Sequence, residues 1–299
     1  MAASPGVEVL DTFPRLLLNH ARVRGDRPAT REKDLGIWQT WSWRQVAAET
    51  RAMACGLSAL GFKRGDNLAI VGDNRPRLYW AMCAAQMLGG VPVPLYQDAV
   101  AQEMAYVLEN AGIKFAIVED QEQVDKLLEI MGAGPALNHI LYDDPRGLRH
   151  YTQPFIQSLD AALEMGRSHD QGQPDFLDGE IALGRPGDVA VMLYTSGTTG
   201  KPKGVCQTHS SFITAAQSGC EFDSLGPADD ILSYLPMAWV GDHLFSYAQA
   251  MVAGFTINCP ESGDTVLTDL REIGPTYYFA PPRVFENLLT TVMIRMEDA

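Results

Sequence analysis

An α/β fold, with parallel sheets flanked by helices, is what this chain of 299 residues predicts. Three observations carry the prediction. First, short apolar runs recur at 68–71, 91–95, 115–118, 140–142 and 189–193. Second, most segments between these runs repeat apolar residues at three- and four-residue spacing, the period of an amphipathic helix. Third, apolar strands alternating with helices imply a sheet covered on both faces, the setting of parallel strands. A hydrophobic content of 46% in a chain this long suits a large core, in one large domain or two smaller ones.

Taken in order, residues 1–10 are expected to be disordered, and a first helix spans 13–23, ending near Gly25. Residues 37–41 read as a strand. Ser42 then holds an N-cap position with Gln45 three residues on, the pattern of a capping box. Behind it Val46, Ala47, Thr50, Ala54, Leu57 and Leu60 share one helix face, and Gly61 is placed to end that helix. Helices at 76–88, 103–110 and 124–131 lie between the next strands. The longest uncharged run, 78–97, is interrupted by Gly89, Gly90, Pro92 and Pro94. It therefore reads as a buried helix followed by a buried strand rather than a membrane span. Asp73 is placed to cap the helix that starts at Pro76. Between 143 and 187 the chain turns polar and richer in Pro and Gly, with one helix at 159–165, and reads as a peripheral excursion. Strands resume at 189–193, 231–234, 255–259 and 277–280, and a last helix starts near Arg283.

Charge narrows the function. Acidic residues number 37 against 23 basic ones, a net charge of −14. Nucleic-acid backbones are gripped by basic surfaces, so a nucleic-acid partner is not expected, and anionic membranes gain no general attraction. Glu8 and Asp11, with no basic residue before Arg15, do not make a secretory signal. The five cysteines (Cys55, Cys83, Cys206, Cys220, Cys259) lack CxxC spacing and fit reduced thiols, Cys206 being read as a small core residue. His20, His139, His150, His169 and His209 form no metal-ligand spacing, so no protein-held transition metal is assigned. A cytoplasmic protein is expected, with peripheral membrane association left open.

The chemistry concentrates in Tyr194-Thr195-Ser196-Gly197-Thr198-Thr199-Gly200-Lys201-Pro202-Lys203-Gly204. Glycines let backbone amides approach a ligand, hydroxyls donate to phosphate oxygens, and lysines supply compact positive charge. A buried strand leads in and a helix from Thr208 leads out, which suits a polyphosphate-gripping loop better than a plain linker. The P-loop of NTPases is excluded, because Gly200-Lys201 is followed by Pro202 where a hydroxyl is needed to reach magnesium.

On these residues the chain resembles the adenylate-forming superfamily of acyl-CoA synthetases, peptide-synthetase adenylation domains and luciferases. The pattern Ser-Gly-Thr-Thr-Gly-x-Pro-Lys-Gly is complete. Gly72-Asp73-Asn74-Arg75-Pro76, Gly90-Val91-Pro92-Val93-Pro94-Leu95-Tyr96, Tyr234-Leu235-Pro236-Met237-Ala238 and Pro282-Arg283-Val284-Phe285-Glu286 point within it to long-chain fatty acyl-CoA synthetases. The resemblance covers the chain from about Phe13 onward. It implies that 11–299 form the N-terminal part of an AMP-binding domain, with subregions 11–142 and 188–299 joined by the excursion 143–187. The C-terminal lid domain of the family, and the acidic residue that helps hold Mg2+, are not found in this chain.

The resemblance further implies a fatty acid, ATP and CoA as substrates, in an AMP-forming ligation that passes through an acyl-adenylate. Thr195, Ser196, Gly197, Thr198, Thr199 and Gly200 would wrap the β- and γ-phosphates, and Lys203 would be catalytic, neutralising charge as pyrophosphate departs. Lys201 stands at the variable position of the motif and fits a solvated side chain as well as a phosphate contact. Trp239 occupies the place where many members carry a histidine, and is expected to line or gate the acyl tunnel, the alternative being an ordinary core tryptophan. His243, four residues on, is expected to be structural and hydrogen-bonded near a helix start. Tyr277 and Phe279 are candidates for lining the acyl or adenine pocket, or for core packing. Two other readings stand beside this one: an acyl-AMP ligase delivering to a carrier protein, and a non-catalytic acyl-binding or interaction fragment. The chain by itself is expected to be catalytically silent.

Overall fold

The computed structural model describes residues 9–132, 137–195 and 201–297. The chain opens with α1 (Phe13–Val23), β1 (Pro28–Asp34), β2 (Ile37–Ser42) and α2 (Trp43–Ala59). A regular alternation follows: β3 (Asn67–Val71), α3 (Pro76–Met87), β4 (Val91–Leu95), α4 (Ala101–Asn110), β5 (Phe115–Val118), α5 (Gln121–Met131) and β6 (His139–Tyr142). Then come β7 (Ile156–Ser158), α6 (Leu159–Gly172), α7 (Phe176–Leu183), β8 (Val189–Thr195), β9 (Lys203–Thr208) and α8 (His209–Asp223). The last part holds β10 (Asp230–Leu232), α9 (Val240–Asp242), a π-helical turn (His243–Ala248), α10 (Gln249–Ala253), β11 (Thr256–Cys259), α11 (Val266–Ile273) and α12 (Pro282–Glu297).

Three sheets result. The largest has the order β4-β3-β5-β6-β7 with every pairing parallel, as the apolar runs require. A second sheet, β10-β11-β1-β2, is parallel except for the antiparallel β1–β2 pair. The third is the antiparallel hairpin β8–β9.

α3 sits between the two larger sheets, touching β3, β4 and β5 on one side and β1 on the other. Every residue of α3 except Arg77 is accordingly buried. A helix apolar all round can only be an interior layer, which is why its one-sided periodicity is weak. Full burial of side chains such as Leu78, Met82 and Met87 contributes about 1.5–3 kcal/mol each. A second core, built on Val71, Val93, Met104, Leu108, Val124 and Leu127, lies under α4 and α5.

Several expectations hold at atomic detail. Ser42 and Gln45 form the reciprocal capping box at the start of α2, and Gly61 follows it with φ +98°. Others are corrected. Asp73 does not cap α3: its carboxylate accepts from Gln97 and its N–H donates to Glu119. The cap position belongs to Arg75, whose guanidinium ties the ends of both sheets by donating to Glu119 and to the carbonyls of Pro260 and Glu261. Residues 143–187 are not a peripheral excursion with one helix. They hold β7, α6 and α7, and α6 packs closely on α2. A Cβ at Gly166 would lie 1.8 Å from the Ala52 carbonyl oxygen, so only glycine permits this approach. Leu159, Ala162, Leu163 and Gly166 form the buried face of α6, a narrow apolar stripe that the polar residues around it concealed. Residues 277–280 form no strand, only a single parallel bridge between Tyr277 and Ile231. Cys206 is exposed on β9 rather than part of the core.

Candidate functional site

The phosphate-loop candidate is mounted on the β8–β9 hairpin. Thr195 and Lys203 are direct cross-strand partners, so their side chains share one face. Ser196, Gly197, Thr198, Thr199 and Gly200 lie outside the described residues. Lys203 is exposed, as is Lys201. β8 itself is anchored at both levels: Ala190, Val191 and Leu193 are buried, and the Tyr194 hydroxyl donates to Asn110 at the end of α4 (2.7 Å).

Beside this hairpin opens a cleft of about 630 Å³. Its walls come from the end of β4 and from α4 (Leu95, Tyr96, Met104, Tyr106) and from the hairpin (Tyr194, Thr195, Lys201). Ala238, from the Tyr234–Ala238 motif, closes a further side. Apolar and aromatic walls with a few converging polar groups are the usual composition of a small-molecule site. The Lys201 ammonium lies 5.4 Å from the centroid of the Tyr106 ring, a cation–π contact that holds it at the cleft. Lys201 is therefore at the cavity wall, while Lys203 stands at the loop end of the hairpin opposite Thr195.

The acyl-site candidates separate into two groups. Trp239 and Phe279 stack with centroids 6.2 Å apart, and Phe279 stacks on Phe245 of the π-helical turn at 3.7 Å. The indole folds back over Gly241, where a Cβ would fall 2.0 Å from the ring, so glycine there is what allows the fold-back. Tyr277 is not part of this stack. Its ring packs near Phe255 at 6.5 Å, and burial together with nearby Asp223 pushes its hydroxyl up to about 12. Core packing explains Tyr277.

His243 departs from expectation. It is fully buried among Phe212, Tyr247 and Phe13, and among the described residues neither ring nitrogen has a hydrogen-bond partner. Burial, with His209 adding to it, lowers its pKa to about 3, so it stays neutral. His209 is also buried and neutral, its Nδ1 accepting from the Phe13 N–H (3.3 Å), its pKa lowered to about 4 by burial.

Sequence reasoning missed a buried polar cluster beneath the site. Asp242 is wholly buried and accepts hydrogen bonds from Tyr79, Ser233, Ser246 and Asn74. Burial raises its carboxyl to about 6 despite these donors. The signal lay in the sequence as two motifs, Asn74 in one and Ser233 beside the other, but their meeting was invisible there. Also missed were Tyr106 and Tyr194 as cleft walls, although Tyr194 directly precedes the loop.

Comparison with known proteins bears on the family and the fold. The family profile described as "AMP-binding enzyme" matches residues 17–298. A long-chain-fatty-acid–CoA ligase of Rattus norvegicus (ACSBG2) is 29% identical over 96% of this chain and 44% of its own length. A long-chain-fatty-acid–CoA ligase of Mycobacterium bovis (FadD15) is 28% identical over 94% of this chain and 45% of its own. The chain thus spans under half the length of these curated relatives. Among solved structures, the anthranilate CoA ligase AuaEII in complex with anthranoyl-AMP superposes with a TM-score of 0.76 at 21% identity, over 90% of this chain and 49% of that one. At such identity the superposition speaks for the fold alone.

Proposed function

Because the chain belongs to the AMP-binding enzyme family, we propose that it forms the N-terminal part of a fatty acid–CoA ligase acting on medium- or long-chain acids. The observation that carries this reading is one cleft walled by Thr195 and Lys201 from the loop hairpin and by Ala238 from the adjoining motif. A nucleotide phosphate tail and a carboxylic acid can meet there.

In the first step a carboxylate oxygen attacks the α-phosphorus of ATP, the bond from that phosphorus to the bridging oxygen breaks, and pyrophosphate leaves. In the second, the CoA thiolate attacks the acyl carbon and AMP departs. Both partners in the first step are anions, so fixed positive charge and hydrogen-bond donors supply most of the acceleration. Lys203 and the Thr195 hydroxyl share a face directed at the departing pyrophosphate, and Lys201 steadies charge at the cleft wall. Trp239, Phe279 and Phe245 make an aromatic wall for the acyl chain. No protein nucleophile is required, since the substrate carboxylate fills that role. Magnesium accompanies the nucleotide in such chemistry. Among the described residues no group of three or more His, Cys, Asp or Glu could hold a metal ion.

The test is pyrophosphate–ATP exchange by the intact protein. Exchange that depends on added fatty acid, followed by thioester formation with CoA, is the expected result. Exchange with no fatty acid from C8 to C18 would overturn the reading, and transfer to a carrier protein in place of CoA would redirect its second step. The 299-residue chain alone is expected to show no exchange.

A further inference from the structure

The segment 233–242 carries Ala238 to the cleft and Trp239 to the aromatic stack, yet it is mostly irregular between β10 and α9. One buried polar cluster holds it at its start, middle and end. At the start, Ser233 Oγ donates to Asp242 (3.0 Å) and lies 2.5 Å from the Tyr79 hydroxyl. In the middle, the Asn74 amide donates to the Leu235 carbonyl (2.9 Å) and to Asp242 (3.1 Å). At the end, Asp242 accepts from the Tyr79 hydroxyl at 2.8 Å.

Tyr79 belongs to α3, the helix buried between the two larger sheets, and Asn74 to the turn that precedes it, so both anchor points are buried in the core. Asp242 has no ion pair among the described residues; hydroxyls and an amide alone surround it. A carboxylate buried without a cation is costly, and is retained where it fixes geometry rather than adds stability. It also directly precedes the π-helical turn that presents Phe245 to Phe279. Such turns frequently occur at functional positions.

We propose that Tyr79, Asn74, Ser233 and Asp242 are positioning residues that set where the 234–239 segment stands relative to the loop hairpin, and so determine acyl-chain recognition. The assignment rests on the fatty-acid-activating reading above. None of the four lines the cleft; each acts through Ala238, Trp239 and Phe245. The device predicts an effect confined to one substrate, because the hairpin that faces the nucleotide is built on other strands.

The test uses the intact protein and its Tyr79→Phe variant, which removes one hydroxyl and keeps the ring that stacks parallel to Tyr247. KM for the fatty acid should rise about tenfold, the equivalent of one hydrogen bond to a charged acceptor. Preference among C8 to C18 acids should broaden, and KM for ATP should stay within about twofold of the parent. Ser233→Ala, a smaller change at the other end of the cluster, should shift the same parameters in the same direction and guards against misfolding of the first variant. A merely structural role would lower kcat with the folded fraction and move neither KM nor the chain-length profile. That pattern in both variants overturns the positioning role while leaving the ligase reading intact. An unmodified protein that activates no fatty acid overturns both.

Discussion

The loop hairpin and the Asp242 cluster are both collections of hydroxyls and charges, yet they are built oppositely. On the hairpin, Lys203 is exposed and Thr195 shares its open face. In the cluster, Asp242, Ser233 and Asn74 are almost wholly removed from water and spend their hydrogen bonds on one another. Polar groups that satisfy each other hold a shape. Groups left facing solvent remain available to a ligand. On the reading proposed above, the first is a site that acts and the second a frame that positions it, and the contrast predicts how each responds to substitution.

The largest effect should come from the hairpin. Lys203→Ala in the intact protein should lower fatty-acid-dependent pyrophosphate exchange about 100-fold, the scale of losing one transition-state charge contact. Its unfolding free energy should change by no more than about 0.5 kcal/mol, as for other exposed substitutions. Wild-type exchange in this variant would remove the functional half of the comparison. Lys201→Ala should cost less, about tenfold, since its ammonium already rests on Tyr106.

Buried groups should instead reveal themselves through pH. Burial lowers His20 and His209 to about 4 and His243 to about 3, from an ordinary value of 6.5. Between those values the unfolded chain binds more protons than the native one. The stability these residues contribute is thus complete above pH 6.5 and lost as pH falls toward 4. Glu32 and Asp242 act in the opposite sense: burial raises them to about 7 and about 6, so their cost is present above pH 7 and relieved on acidification. His139 joins the histidines, and Asp120 and Asp143 join the raised carboxyls. The ion-paired Asp170, Asp269 and Glu272, held below the usual carboxylate range, lose their stabilisation in acid, so the net expectation is acid lability. Melting temperature should fall between pH 6.5 and 4.5, and His243→Leu should flatten that fall, since its ring nitrogens have no partner to lose. A flat profile in the parent would refute the buried-histidine account.

The smallest effects should lie along the aromatic stack. Trp239→Ala should shift preference between neighbouring chain lengths by roughly tenfold, the range for a changed apolar wall. Tyr277→Phe should shift it by less than about twofold, because that ring packs on the core side. Equal responses from the two would erase the distinction drawn between them.

What the sequence determined by itself was whatever depends on neighbours in the chain. The parallel strands at 67–71, 91–95 and 115–118 follow from continuous apolar runs, and the Ser42–Gln45 box from residues three apart. The loop motif was legible because phosphate binding needs adjacent glycines, hydroxyls and lysines. Tertiary structure alone decided the rest. It sent Tyr277 to the core and Phe279 to the stack, two residues apart on an irregular segment where no period predicts direction. It packed α6 on α2 through Gly166, a close approach of two backbones that no local pattern announces. It also brought Asn74 and Tyr79 to Ser233 and Asp242 across more than 150 residues. A carboxylate reads as a surface residue in sequence, and only long-range packing that strips away its water turns it into the centre of a frame.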